Sequence, residues 1–164
     1  MLFRSAQALA IKPDKHEALY NWGFALSDQA KTKSGVEADE LFKQSYEKYA
    51  KAVEIKPDKY EAFNNWGAAL AAQAKTKSGA EADDLFEKAI NLFEKSESIL
   101  VGSSAYNLAC LFALTSQEEK CQNWLMISKD TNNLPNREYL EGDSDLDSIR
   151  NTKWFQKFLN GLRM

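Results

Sequence analysis

The sequence predicts an all-α fold, an α-solenoid of antiparallel helix pairs that ends in C-terminal capping helices. The first observation is an internal repeat: residues 11–52 match residues 55–96 at 25 of 42 positions, and each copy contains the stretch AKTKSG. The second is the spacing of the apolar residues, which recur every three or four positions. A fixed period indicates stacked units, and helical spacing makes each unit a pair of helices.

The first copy carries two apolar stripes, and each stripe predicts one helix. A stripe of this kind places its apolar side chains on one helix face, which packs against a neighbouring element. The first stripe consists of Ala18, Trp22, Ala25, Leu26 and Ala30, and the second of Ala38, Leu41, Phe42, Tyr46, Tyr49 and Val53.

Capping patterns predict where these helices begin. Asp14 and Asp58 each precede a glutamate by three residues, and so do Ser34 and Ser78. In such a capping box the side chain of the first residue accepts a hydrogen bond from an unpaired backbone amide of the first turn. We therefore expect the SG pair of each AKTKSG stretch to begin a second helix.

The first copy reads Leu19-x2-Trp22-Gly23-x2-Leu26, then Ser45-x3-Tyr49 and then Pro57. In this order the residues resemble the pattern W-x2-L-G-x2-Y, A-x3-F and P of the tetratricopeptide repeat (TPR) family. We expect the small residue of each copy to lie where two helices come closest, and the tryptophan before it to fill the space alongside. The matching residues are Leu19, Trp22, Gly23, Leu26, Ser45, Tyr49 and Pro57, then Phe63, Trp66, Gly67, Leu70, Ala89, Phe93 and Val101, and in a fainter third copy Ala105, Leu108, Ala109, Phe112, Cys121, Leu125 and Asn133.

The period is the main departure from the family, because the first two copies run 44 residues against a norm of about 34. The apolar spacing continues into the insertion, so we expect longer helices and a tall hairpin instead of a long loop. The third copy lacks the insertion. The predicted boundaries are residues 1–12 for the tail of a preceding repeat, 13–56, 57–100 and 101–133 for three repeats, and 134–164 for the C-terminal cap.

Both ends of the chain carry partial or divergent elements. Residues 2–11 align with residues 46–55, the tail of a second helix, so we expect either a fragment of a longer array or an N-terminal lid. Toward the other end, the segment from Asp145 to Phe155 resembles the helix that closes many bacterial TPR arrays. Arg150 and the aspartates near it are then expected to form hydrogen bonds within the cap.

The composition favours a protein-binding module over other classes of function. A net charge of -3 and a pI near 5.3 argue against a nucleic-acid binder and against binding to an anionic membrane. No apolar run approaches the length of a membrane span, and the N-terminus does not fit a signal peptide. We therefore expect a cytoplasmic protein that binds a protein or peptide and neither nucleic acid nor membrane.

Neither a catalytic site nor a metal site is expected, and the sequence implies no cofactor. The single histidine, His16, aligns with Tyr60 of the second copy. A position that is tyrosine in the other copy is unlike that of a catalytic base. Cys110 and Cys121 have no matching histidines for zinc and fit small buried apolar residues. We predict that the protein is not an enzyme.

The TPR resemblance implies a concave groove, lined by the first helix of each repeat, that holds an extended peptide. One asparagine per copy stands just before the large residue of the close contact, and an amide can both donate to and accept from a peptide backbone. The alternative is that these asparagines cap local backbone or are only solvated. The predicted groove residues are Asn21, Asn65 and Asn107, with Glu17, Tyr20, Phe24, Glu61, Asn64, Ala68 and Tyr106 beside them.

Two further hypotheses concern the surface and the assembly of the chain. The lysines of the AKTKSG stretches, if the repeats stack, form either a small basic ridge above the groove or ordinary solvated turns. As the alternative to a peptide-binding scaffold or adaptor, the chain is a structural spacer that self-associates through residues 1–12. The ridge residues are Lys31, Lys33, Lys75 and Lys77.

Overall fold

The structure is a computed structural model, and it describes residues 16–162. The regular elements within this range are all helical, which confirms the predicted all-α fold of helix pairs. They are α1 (His16–Lys31), α2 (Gly35–Ile55), α3 (Tyr60–Ala74), α4 (Gly79–Ile99), α5 (Ala105–Leu114), α6 (Glu118–Asp130), α7 (Arg137–Gly142), a short 3-10 helix (Ser144–Leu146) and α8 (Lys153–Asn160).

The described residues form two compact units, one up to Ile99 and one from Leu100 onward. In the first unit α1 packs along α2, α3 packs along α4, and α2 also contacts α3. In the second unit α5 packs along α6 and against the 3-10 helix. Short turns join the partners of each pair, so the two helices of a pair run antiparallel. The partial helix predicted for residues 1–12, and with it the proposed route of self-association, lies outside the described residues.

Gly23 and Gly67 lie where the helices of the first two pairs come closest. A Cβ atom at Gly23 would lie 3.1 Å from Cδ1 of Tyr49 and 3.2 Å from the backbone oxygen of Ser45. At Gly67 it would lie 2.8 Å from Cε1 of Phe93. Glycine lets the two backbones approach this closely because it has no side chain to separate them.

The rings that fill the space at these glycines come from the second helix of each pair. Tyr49 is fully buried and Phe93 is 1% exposed. Trp22 and Trp66, which the sequence suggested for this role, are only half-buried. Neighbouring residues on a helix point about 100° apart, so a tryptophan next to the glycine projects toward the flank of the contact.

The helices of the first unit are longer than the first pair of the second unit. Helices α2 and α4 have 21 residues each, and α1 and α3 have 16 and 15. Helices α5 and α6 have only 10 and 13. Helices therefore occupy most of each of the first two pairs, and the second helix of each pair is the longer one. Within residues 16–162, no helix is both long enough and apolar enough to cross a membrane.

Two of the predicted capping interactions are not formed. Ser34 occupies the N-cap position of α2, but its side chain makes no hydrogen bond to the first turn. Gly35 follows with a φ of +59°, a left-handed conformation that redirects the chain at the helix start. The N-cap of α3 is Lys59, because the helix begins two residues after the predicted cap, Asp58. Asp14 lies outside the described residues.

Arg150 connects several turns of the C-terminal region, in agreement with its predicted role in a cap. Its guanidinium donates to the backbone oxygens of Glu141 and Asp143, the latter at 2.7 Å, and to Oδ1 of Asp147 at 2.6 Å. A planar guanidinium can serve several acceptors at once because it carries five N–H groups in a fixed arrangement. These bonds hold the end of α7 and the 3-10 helix together.

Candidate functional site

Eight of the predicted groove residues lie on α1 and α3, two helices of the first unit that contact each other. On each helix they are spaced by three, four and seven positions, which places them on one helix face. We name this face the α1–α3 surface. Its residues are Glu17, Tyr20, Asn21 and Phe24 on α1, and Glu61, Asn64, Asn65 and Ala68 on α3.

A hydrogen bond joins the two helices across the α1–α3 surface. Nδ2 of Asn65 donates to the hydroxyl oxygen of Tyr20 at 2.5 Å. Nζ of Lys59 lies 4.7 Å from the centroid of the Tyr20 ring, a cation–π contact that covers one side of the ring. Burial and the nearby carboxylate of Glu61 raise the pKa of Tyr20, although the bond from Asn65 opposes this shift. Tyr20 therefore stays protonated and holds α1 against α3 at this point.

Phe24 is the most accessible aromatic side chain of the surface. It is 41% exposed, one helical turn beyond Tyr20. The aligned residue on α3 is Ala68, a small and half-buried side chain. Glu17 is exposed and Glu61 is half-buried. The surface therefore combines one accessible aromatic ring with two carboxylates, and it carries no Lys or Arg among its eight residues.

The other two predicted groove residues, Tyr106 and Asn107, lie on α5 in the second unit. The hydroxyl of Tyr106 donates to Oδ2 of Asp143 at 2.6 Å and so ties α5 to the C-terminal region. Burial, followed by the neighbouring Cys110 and Asp143, raises the pKa of Tyr106. Asn107 is half-buried. Tyr106 thus has a packing role within its own unit, and partner binding by either residue stays a prediction.

Lysines of both AKTKSG stretches lie beside carboxylates. An ion pair cancels much of the positive field that an isolated lysine presents to an approaching partner. Lys75, which also has an interaction partner, is exposed just after α3. The basic ridge stays a prediction, with less net positive charge than the lysine count indicates. The pairs are Lys31 with Asp28 at 3.3 Å, Lys33 with Glu37 at 3.2 Å, and Lys77 with Asp39 at 2.7 Å.

An apolar cavity of about 350 Å³ lies between α2, α3 and α4, and sequence reasoning missed it. Trp66 lines this cavity, whereas Nζ of Lys48 lies 4.0 Å from the ring centroid of the aligned Trp22 and covers that ring. Lys48 aligns with Leu92, which carries no charge to place over Trp66. Leu85 and Leu92 are seven positions apart and so lie on one face of α4, a pattern in the sequence that could have indicated the cavity. The lining residues are Tyr46, Trp66, Leu70, Leu85, Lys88, Asn91 and Leu92.

The described part of the second unit also brings three possible metal-ligand atoms together. The Sγ atom of Cys110 and the carboxylates of Asp143 and Asp145 lie within 4.8 Å of one another. Burial and the Asp143 carboxylate raise the pKa of the Cys110 thiol, which donates to Asp143 at 3.8 Å. Asp143 also accepts from the backbone N–H of Asp145 at 3.0 Å. The Asp143 carboxylate thus accepts one hydrogen bond from the thiol and one from a backbone amide, contacts that pack α5 against the turn at Asp143.

The family model described as "Plant specific mitochondrial import receptor subunit TOM20" matches residues 3–120, well over half of the chain. None of the curated proteins compared with the chain is significantly similar to it. The matched range contains the entire α1–α3 surface. A receptor of this description agrees with the predicted protein partner and with a binding function in place of an enzymatic one.

The predicted cytoplasmic localisation is wrong, because the matching family is a mitochondrial import receptor. The prediction rests on the lack of a long apolar run and on the lack of a signal peptide. Proteins of many compartments share these properties, so they could not distinguish a mitochondrial protein from a cytoplasmic one. The exclusions of nucleic acid and membrane as partners stay predictions.

Proposed function

We propose that this chain, which belongs to the plant-specific mitochondrial import receptor subunit TOM20 family, binds segments of imported preproteins on the α1–α3 surface. The observation that carries this proposal is Phe24, an aromatic side chain that is 41% exposed on a helix face with acidic residues. Exposed aromatic residues are frequent anchors in protein interfaces, where their rings bury a large apolar area.

The charges of the α1–α3 surface favour a partner that is both apolar and basic. Glu17 is exposed and Glu61 is half-buried on the same face as Phe24. The whole chain has a net charge of -3. Complementary charge steers a basic segment toward such a face and fixes its orientation there. Phe24 then supplies the apolar contact that slows dissociation.

We further propose that the helix pairs are TPR units with an extended period. The units are residues 13–56, 57–100 and 101–133, followed by a cap at residues 134–164. The close contacts at Gly23 and Gly67 support this proposal, since both occur at the family's small-residue position and 44 residues apart. The TPR frame gives the chain a place for a peptide on its first helices, while the side chains there decide which peptide binds.

The proposal is tested by the variant Phe24→Ala in the full chain. The probe is a fluorescently labelled synthetic peptide that forms a helix with arginine on one face and leucine on the other, titrated by fluorescence anisotropy. Loss of an interface anchor typically weakens binding by about 2 kcal/mol, or roughly 30-fold. We expect Phe24→Ala to weaken peptide binding by that order and to leave the helical circular dichroism spectrum unchanged.

The matched control is Phe86→Ala, which removes the same ring from a half-buried position on α4 outside the α1–α3 surface. Its affinity for the peptide should equal that of the unmodified chain. Equal affinities of Phe24→Ala and the unmodified chain would contradict the proposed surface. A chain that does not bind the basic peptide at all would contradict the proposed function.

A further inference from the structure

We propose that Tyr20 restrains partner binding by accepting from one of the two side-chain N–H groups of Asn65, so that a partner that uses this N–H group must displace the Tyr20 hydroxyl. The inference rests on the proposed function, since it concerns the same α1–α3 surface. It changes the role of Asn65 from a group that is ready for a peptide backbone to one that is held by an internal competitor.

Each polar atom of the Asn65 side chain makes a hydrogen bond in the structure, and Nδ2 uses one of its two N–H groups for it. Nδ2 donates to the Tyr20 hydroxyl at 2.5 Å, and Oδ1 accepts from Nδ2 of Asn64 at 3.4 Å. The bond to Tyr20 is short and links two helices, whereas the bond from Asn64 is long and comes from the adjacent residue. A partner carbonyl that approaches the N–H group on the Tyr20 side therefore competes with the Tyr20 hydroxyl.

The Tyr20 ring is held in place independently of its hydroxyl. Its centroid lies 6.2 Å from that of the Tyr49 ring, with a tilted geometry, and Lys59 covers it from another side. Tyr49 is fully buried and belongs to the core of the first unit. Tyr20→Phe therefore removes the competing oxygen while it keeps the ring, its packing and its contact with lysine.

The free receptor with an intact Tyr20 must break one hydrogen bond before this N–H group of Asn65 can bind a partner. The net contribution of such a bond corresponds to about a two- to tenfold change in an equilibrium constant. We therefore expect Tyr20→Phe to tighten binding of the arginine–leucine peptide by about two- to tenfold. If the Tyr20 hydroxyl had a purely structural role, its loss would disturb the α1–α3 surface and weaken peptide binding.

A double-mutant cycle with Asn65→Ala shows whether the gain acts through the amide. We expect Tyr20→Phe to tighten binding in the unmodified chain and to have no effect when Asn65 is already alanine. The matched control is Tyr46→Phe, whose hydroxyl donates to Oε1 of Gln73 at 2.8 Å. This control also removes a tyrosine bond to an amide of α3, but away from the α1–α3 surface, and should leave affinity unchanged.

A spectroscopic readout follows the same amide directly. The side-chain 15N–1H signals of Asn65, assigned by their loss in Asn65→Ala, should shift in Tyr20→Phe and shift again when the peptide is added. Affinity that is unchanged or weaker in Tyr20→Phe overturns the inference. So does an equal gain in the Asn65→Ala background.

The two levels of proposal fail in different ways. If Phe24→Ala weakens peptide binding but Tyr20→Phe does not tighten it, only the role of Tyr20 is wrong. If the unmodified chain does not bind the peptide, or if Phe24→Ala has no effect, the proposed function itself is wrong and the role of Tyr20 is lost with it.

Discussion

The two helix pairs of the first unit repeat their glycine contacts and differ at other positions. In both pairs a glycine faces an aromatic ring of the second helix. The outward positions differ: Phe24 aligns with Ala68, and Lys48, which covers Trp22, aligns with Leu92. Interior positions are constrained by the distance between helices, whereas outward positions are free to change. Any difference in what the two pairs bind therefore arises at these outward positions.

The largest expected difference between the pairs is at the aligned residues Phe42 and Phe86. Phe42 is 2% exposed and packs in a core with Tyr49 and small alanines, whereas Phe86 is half-buried. We expect Phe42→Ala to lower the free energy of unfolding by about 3–5 kcal/mol. Phe86→Ala should lower it by about 1–2 kcal/mol, because less apolar area leaves water there. Urea denaturation followed by circular dichroism measures both values.

Equal losses in these two variants would mean that the two pairs are equally packed around their aligned phenylalanines. The difference in burial between Phe42 and Phe86 would then have no effect on stability, which contradicts this prediction. A loss in Phe86→Ala large enough to unfold the chain would also remove it as a control for peptide binding.

The glycine contacts provide the next test, with a smaller effect. A Cβ at Gly67 would lie 2.8 Å and 2.9 Å from two atoms of Phe93, whereas the shortest distance at Gly23 is 3.1 Å, to Tyr49. Overpacking of this kind costs about 1–3 kcal/mol, and the better helix propensity of alanine offsets up to about 1 kcal/mol. We expect Gly67→Ala to destabilise the chain and Gly23→Ala to be closer to neutral.

Thermal and urea denaturation of both glycine variants measure this difference. Gly23→Ala as the more destabilising of the two would contradict it. In that case the ring of Phe93 would be able to move away from an added methyl group more easily than the ring of Tyr49.

The helix pairs could be predicted from the sequence because their signals are local and occur twice. The apolar spacing and the small residues at Gly23 and Gly67 are visible in one copy and confirmed by the other. The lack of a cap hydrogen bond at Ser34 could not be predicted from such local signals. Its serine and glutamate have the right spacing, but the left-handed conformation of Gly35 decides the geometry, and no spacing rule shows that conformation.

The candidate site could be predicted only as a set of residues on helix faces. The bond between Asn65 and Tyr20 depends on how α1 lies against α3, and these residues are 45 positions apart. The cavity at Trp66 depends on three helices at once. Helical spacing describes one helix at a time, so it contains neither contact. The mitochondrial family could not be inferred because composition and charge carry no signal for it.

The turns of the two hairpins differ in the partners of their lysines, and this difference leads to the smallest expected effect on stability. In the first turn, Lys33 pairs with Glu37 on the helix that follows it. In the second turn, Nζ of Lys77 lies 2.7 Å from Oδ2 of Asp39 on α2, and Gln73 donates to the other oxygen at 3.0 Å. The second pair is therefore tied to the first by one carboxylate, whereas the bond at the first turn is local.

Asp39→Asn tests this tie through its dependence on pH. The hydrogen bond from Lys77, and then that from Gln73, lowers the pKa of Asp39 in the folded chain. A lowered pKa stabilises the fold above the aspartate pKa of the unfolded chain, and the stabilisation is lost as the pH falls through the folded value. The carboxylate is partly exposed to water, so we expect Asp39→Asn to lower the free energy of unfolding by less than about 1 kcal/mol near neutral pH. This loss of stability should disappear in acid.

The control is Asp84→Asn, whose carboxylate lies 2.7 Å from Lys88 with both side chains largely exposed. Urea denaturation across the pH range should show no comparable difference for the control, and a loss in Asp39→Asn that persists in acid would contradict an ionic tie.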